Sequence, residues 1–195
     1  MCFSLNIFMI IAISGLHGTG KSVVGKAIAE HFGLSYYSTG VLFRKIAQEK
    51  GLSLEQLSHQ AEKDHTIDNT IDYRIKQHAL KGNCVLDNQL SPFLLKDIVE
   101  FAILLTCDKD ERIRRMMKRD SHNIEAKITE TVIREQSERK RFIEFYGIDI
   151  ADPELIKKSF NLILDTTNLN TQDVISKLIS AIEQYDGFSS EDSKN

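Results

Sequence analysis

Cysteine is scarce in this chain of 195 residues: Cys2, Cys84 and Cys107, an odd number without metal-type spacing. That argues against a disulfide framework and points to a reducing cytosol, so a cytoplasmic protein is expected. Cys84 and Cys107 fall in apolar runs and are expected as small core residues. Positive charge is not in excess either. The formal net charge is −3, which gives no electrostatic case for a nucleic-acid partner. No apolar run is long enough for a membrane span. Cys2 to Ile13 is mostly apolar, but Ser4 and Asn6 interrupt it and it is too short to cross a bilayer. It lacks a basic start and a small-residue cleavage site, which weighs against a signal peptide. The first strand needs only about seven of these residues. Residues 1–8 therefore read as a short extension, with Met9 as the functional start. Repeats are absent. With 42% apolar and 27% charged residues, the composition is that of one ordinary globular domain.

What is present begins with Gly15-Leu16-His17-Gly18-Thr19-Gly20-Lys21-Ser22, a GxxxxGKS run directly after the strand-like Phe8–Ser14. Val23, Val24, Ala27, Ile28 and Phe32 follow at helical spacing. The order strand, glycine loop, helix turns successive backbone N–H groups toward phosphate oxygens. The positive end of the helix adds to the same site. Lys21 then reaches the outer phosphates, and Ser22 offers a hydroxyl to Mg²⁺. A nucleoside triphosphate is the expected ligand. His17 can touch phosphate, although an exposed loop histidine is the plainer reading.

Five strands are expected, at 8–14, 34–37, 84–87, 101–106 and 160–165. The last three are continuous apolar runs, as strands covered on both faces should be. Helical patterns separate them: 41–50, one opened by the capping box Ser53–Gln56, 67–81, 108–119, 124–146, and one from Thr171. Alternation of this kind implies a parallel sheet with helices on both sides. Gly187 onward reads as a polar tail.

Ligands in such sheets collect at the carboxyl ends of the strands. The glycine loop, Ser38-Thr39-Gly40, Asp87-Asn88-Gln89 and Asp108 all fall there. Asp87 reads equally as a Mg²⁺ ligand and as a cap or turn aspartate. Arg44, one turn into the next helix, suits an anion. Arg112, Arg115 and Arg119 share one helix face; Arg134 and Arg141 are seven apart, with Arg139 and Lys140 nearby. Local pairs account for part of this: Asp108–Arg112, Glu111–Arg115 and Glu135–Arg139 are all i,i+4. Arginines that close over a migrating phosphoryl group account for the rest, with Asp120-Ser121-His122-Asn123 as hinge or tip.

The stretches IAISGLHGTGKS, STGVLFRKIAQEKGLSLEQ, RIRRMMKRD, REQSERKRFIEFYGIDI and LILDTTNLN resemble the nucleoside monophosphate kinases, and among them the archaeal type of cytidylate kinase. The resemblance implies an α/β P-loop NTPase fold with a five-stranded parallel sheet and helices on both faces. It implies a core at about 9–37, 84–111 and 147–186, a monophosphate-binding segment at about 38–83 and a lid at about 112–146. It implies a monomer that moves the γ-phosphate of ATP, with Mg²⁺, to CMP or dCMP. Carried over by motif, Gly15, Leu16, His17, Gly18, Thr19, Gly20, Lys21 and Ser22 hold the donor, and Asn168 lies beside its base. Thr39, Gly40, Arg44, Asp87 and Gln89 hold the acceptor. Ser22 and Asp87 serve the metal. Lys21, Arg115, Arg134, Arg139 and Arg141 serve the transfer.

One departure stands out. Where the family has Asp/Glu-Gly-Arg, this chain has Asp87-Asn88-Gln89. Gln89 lacks the arginine's charge, and Asn88 in place of glycine is expected to crowd the turn. Another acceptor in the same fold (AMP, dUMP or a non-nucleotide small molecule) and an activity-impaired relative are the alternatives. A switch GTPase is disfavoured, because the Asn-Lys-x-Asp and Asp-x-x-Gly signatures are missing.

Overall fold

The computed structural model describes residues 8–120 and 124–188, apart from the side chains at 119, 120, 124 and 127. The proposed tip at 121–123, the Arg119 side chain, Cys2 and most of the N-terminal extension lie outside the described residues.

Five parallel strands form one sheet in the order β2-β3-β1-β4-β5: β1 (Ile10–Ser14), β2 (Ser35–Ser38), β3 (Cys84–Asp87), β4 (Phe101–Thr106) and β5 (Leu162–Asp165). β1 sits between β3 and β4, and all five of its residues are buried. That is why it reads as an unbroken apolar run rather than an alternating one. On one face Ile11 and Ile13 pack with Val24 and Ile28 of α1 (Lys21–Phe32) and with Val174, Leu178 and Ile182 of α9 (Thr171–Glu183). On the other, Ile10 and Leu86 pack with Ile75 and Ala79 of α4 (Thr66–Ala79).

A separate apolar cluster joins α2 (Thr39–Lys50), α3 (Leu54–Ala61) and α4 through Phe43, Leu57 and Ile71. α3 is opened by the expected capping box. Gln56 N donates to Ser53 Oγ at 3.0 Å, and Ser53 N donates to Gln56 Oε1 at 2.8 Å. α6 (Lys109–Asp120) and α7 (Ile124–Tyr146) pack on each other, and α3 rests on α7. No helix among the described residues is long and apolar enough to cross a membrane.

Three expectations change. Two short helices were not anticipated: α5 (Ser91–Leu94) and α8 (Pro153–Ser159). The second had a legible start, since Asp152 caps it and proline stands at its first position. β5 is not covered on both faces. As an edge strand it packs Leu162 and Leu164 on the core and leaves Ile163 49% exposed. Cys84 is buried, but Cys107 is only half-buried, because it lies just past the end of β4 rather than in it.

Candidate active site

The glycine loop leaves β1 and passes under α6. Its room for side chains is nil at two points. A Cβ on Gly15 (φ +142°) would stand 2.4 Å from the carbonyl oxygen of Leu105, and one on Gly18 (φ +83°) 2.6 Å from that of Arg112. Both glycines are thus required by backbone angle and by contact. Lys21 folds along the loop and donates from Nζ to the carbonyls of Gly15 (2.6 Å) and Leu16 (2.9 Å). Burial lowers its pKa, while the charges of Asp87, Glu138 and Glu135 pull the other way. Three carboxylates thus sit within electrostatic reach of the one ammonium.

Asp87 ends β3 beside β1, opposite Ile13. It is neither a helix cap nor a free turn residue. Its Oδ2 accepts from three hydroxyls: Ser22 at 2.8 Å, Tyr36 at 2.6 Å and Ser38 at 3.2 Å. Burial, and then the Asp87 charge, push the Tyr36 phenol up to about 12, so Tyr36 stays a donor. Asn88 does not strain the turn as expected. Among the described residues, Asn83 is the single non-glycine with positive φ. The Asn88 side chain instead closes the turn. Oδ1 accepts from the backbone of Leu90 (2.5 Å) and Ser91 (2.7 Å), and Nδ2 donates to Thr39 Oγ1 at 3.2 Å.

α7 brings a carboxylate that sequence reasoning missed. Glu138 Oε2 accepts from Gln89 Nε2 at 2.7 Å and lies 3.0 Å from His17 Nε2. One residue thus ties the glycine loop and the β3 turn to α7. Burial alone would raise the Glu138 pKa, but His17, Arg134 and Arg141 outweigh it and hold the pKa at about 2. His17 is therefore not an exposed loop residue. A second missed carboxylate, Glu135, accepts from the His17 backbone N–H (3.2 Å) and from Arg112 (2.5 Å). The same Arg112 donates to His17 O at 2.8 Å.

The arginines divide. Arg115 pairs with Glu111 as expected (2.8 Å) and also donates to the carbonyl of Thr166 (2.6 Å), just past β5. Arg141 is 2% exposed and forms a buried pair with Asp68 of α4 at 2.9 Å. Arg134 lies loosely between Glu130 (3.6 Å) and Glu138 (3.9 Å), and its buried Nε has no partner. All three line one cavity of about 570 Å³. Arg139 does not line it. It points to the surface and holds Asp149 with two hydrogen bonds, at 2.9 and 2.8 Å. The local pairs Asp108–Arg112 and Glu135–Arg139 give way to Arg112–Glu135 and Arg139–Asp149.

The same cavity collects His17 through Ser22 from the loop, Thr39, Gly40 and Arg44 from the start of α2, and Asp87 and Gln89 from the β3 turn. Gly15 and Leu16 meet Lys21 but do not line the cavity. Asn168 is exposed and outside it; Leu169, Asn170 and Thr171 line it instead. Asp68 and Asp72 of α4 also line it and were not anticipated. Their signal was two carboxylates, i and i+4, beside the apolar stripe Ile67, Ile71, Ile75. Glu135 was read as half of an exposed local pair with Arg139, and Glu138 carried no signal.

The chain resembles known proteins over most of its length. It is 40% identical over 177 residues to the cytidylate kinase of Staphylothermus marinus, covering 91% of this chain and 98% of the relative. It is 43% identical over 161 residues to that of Aeropyrum pernix, covering 83% and 91%. In structure it superposes on the shikimate kinase of Bacteroides thetaiotaomicron with a TM-score of 0.58 at 13% identity, covering 90% of this chain and 99% of that one. That likeness shows the P-loop kinase fold. The model of the cytidylate kinase-like family matches residues 10–168, and the chain belongs to that family.

Proposed function

We propose that this protein moves the γ-phosphate of ATP to a pyrimidine nucleoside monophosphate, CMP or dCMP. The observation that carries the proposal is the single cavity shared by the Lys21 loop, the Thr39–Arg44 segment and the arginines of α6 and α7. A grip for triphosphate and a cationic pocket for monophosphate open into one space, as direct transfer requires. The acceptor phosphate is already a nucleophile. The work left to the protein is positioning, charge neutralisation and exclusion of water.

Loop N–H groups, Lys21 and Ser22 hold the donor phosphates. Thr39, Gly40 and Arg44 receive the acceptor phosphate. Arg134, with an unsatisfied Nε, and Arg141 close on the migrating group. Arg115 fixes the backbone beside the donor base through Thr166, and this role replaces the one expected of Asn168. Ser22 Oγ and Asp87 Oδ2, 2.8 Å apart, are hard oxygen donors suited to Mg²⁺, which takes few protein ligands and completes its shell with phosphate and water. The ion would neutralise phosphate charge there. On this reading 38–83 is the monophosphate-binding segment, 112–146 the lid and the remainder the core. The enzyme is a cytoplasmic monomer working on pyrimidine nucleotides, and the net charge of −3 supports the absence of a nucleic-acid partner.

The test is a coupled ADP-release assay with ATP, Mg²⁺ and a panel of acceptors. CMP and dCMP should be turned over best. No turnover on CMP, or equal turnover on CMP, AMP and dUMP, sinks the proposal.

A further inference from the structure

The acceptor half of the cavity is walled by Phe43, Ile71 and Phe142, each 7% exposed, from three different helices. Such side chains pack on the faces of a flat ring but do not tell one base from another. Polar groups at the ring edge must do that. α4 supplies them, since Asp68, Ile71 and Asp72 share one helix face and all line the cavity.

The two aspartates are not equivalent. Asp68 is committed to Arg141 in a pair whose side chains are 9% and 3% exposed. Asp72 has no ion pair among the described residues. Its Oδ2 accepts from the Tyr146 hydroxyl, and no donor from the described residues reaches its Oδ1. Burial raises the Asp72 pKa, as does the charge of Asp68, against the hydrogen bond from Tyr146. The carboxylate therefore gains from any further donor. In the same cavity the buried, unpartnered Nε of Arg134 is a second, independent sign that the lining is shaped around a ligand.

We propose that Asp72 selects the acceptor base by accepting a hydrogen bond from the 4-amino group of cytosine. The inference rests on the monophosphate kinase reading above. Cytosine presents an NH₂ donor where a 4-keto pyrimidine presents a carbonyl oxygen. With uracil, that oxygen would face the carboxylate, and two acceptors would be buried against each other. Attraction toward one base and repulsion of the other act in the same direction. Asp72 thus separates amino from keto pyrimidines, while the three apolar walls limit ring size.

The experiment compares kcat/KM for CMP and UMP at saturating ATP in the wild type and in Asp72→Asn. An amide can turn either its oxygen or its NH₂ toward the base. The preference for CMP over UMP should therefore fall by roughly 10- to 100-fold, mainly through a gain on UMP. A second measurement needs no variant and decides the matter if Asp72→Asn does not fold. The ribonucleotide of 2-pyrimidinone, cytosine without its amino group, should be a poorer wild-type acceptor than CMP by about tenfold or more. An unchanged CMP:UMP ratio in the folded variant, or a 2-pyrimidinone nucleotide as good as CMP, overturns the role of Asp72 and leaves the kinase reaction standing. A wild type that does not turn over CMP overturns the kinase reading instead. Calorimetry of CMP and UMP with the wild type then decides for Asp72: tighter CMP binding supports it, and equal or absent binding refutes it.

Discussion

Replacing Glu138 with glutamine keeps the side chain's size and removes its charge. In the folded protein His17, Arg134 and Arg141 overcome the burial cost and hold the carboxyl at about 2, against an ordinary 4.5. A folded pKa below the unfolded one means that the charge stabilises the fold at neutral pH. That contribution is lost as the pH falls from about 4.5 toward about 2. The gap, about 2.5 pH units at about 1.36 kcal/mol each, is worth about 3 kcal/mol. This lies at the lower end of the cost of breaking a buried ion pair by removing one partner, roughly 3–5 kcal/mol. At pH 3.5 the wild type should already have lost about 1.4 kcal/mol of it, and the variant none. Urea unfolding followed by circular dichroism should therefore show Glu138→Gln less stable by about 3 kcal/mol at pH 7 but by only about 2 kcal/mol at pH 3.5. An equal deficit at both pH values would make Glu138 a packing residue. A deficit under about 1 kcal/mol at pH 7 would refute the charge argument outright.

Three further outcomes follow from the same geometry. Lys21→Ala should abolish phosphate transfer while leaving the circular dichroism spectrum unchanged, because among the described residues the lysine hydrogen-bonds to its own loop alone; an unfolded variant would make Lys21 structural. Arg139→Ala should leave kcat within about twofold, since an exposed pair with Asp149 contributes little, whereas Arg134→Ala should lower kcat by about 100-fold or more. Comparable losses in a steady-state assay would return Arg139 to the transfer step. Gln89→Arg sets a guanidinium between Glu138 and the acceptor and should lower KM for CMP by about tenfold, the margin of a charged over a neutral hydrogen bond; an unchanged KM would mean that this turn does not face the acceptor phosphate.

Sequence alone exposed what is local or periodic. The glycine loop, the capping box at Ser53 and the strand β1 all announce themselves within a dozen residues. Sequence alone misjudged what depends on distant partners. Arg112 and Arg139 each had a tempting carboxylate four residues away, yet both chose others. Helical spacing says which pairs are possible, and tertiary packing decides which are desolvated enough to matter. His17 looked like a loop surface residue because Glu138, its partner, lies 121 positions further on. Asn168 was misplaced by a residue or so, since only the turn after β5 fixes which side chains face inward. The apolar run of β5 suggested two covered faces, but nothing in the run reveals that the strand lies at the edge of the sheet.

The strand order also governs when this protein can first grip a nucleotide. β1 leaves the ribosome before both of its neighbours, β3 and β4, which come much later in the chain. Ser22 and the Asp87 that holds it are 65 residues apart. The loop-closure entropy of joining them must be met before the inner pairings return any stability, which makes parallel sheets of this order slow to assemble. A nascent chain that ends before residue 84 carries the whole glycine motif and β1 but neither of the strands that flank β1. Nucleotide binding should therefore switch on abruptly once β3 and β4 have emerged, rather than grow with chain length.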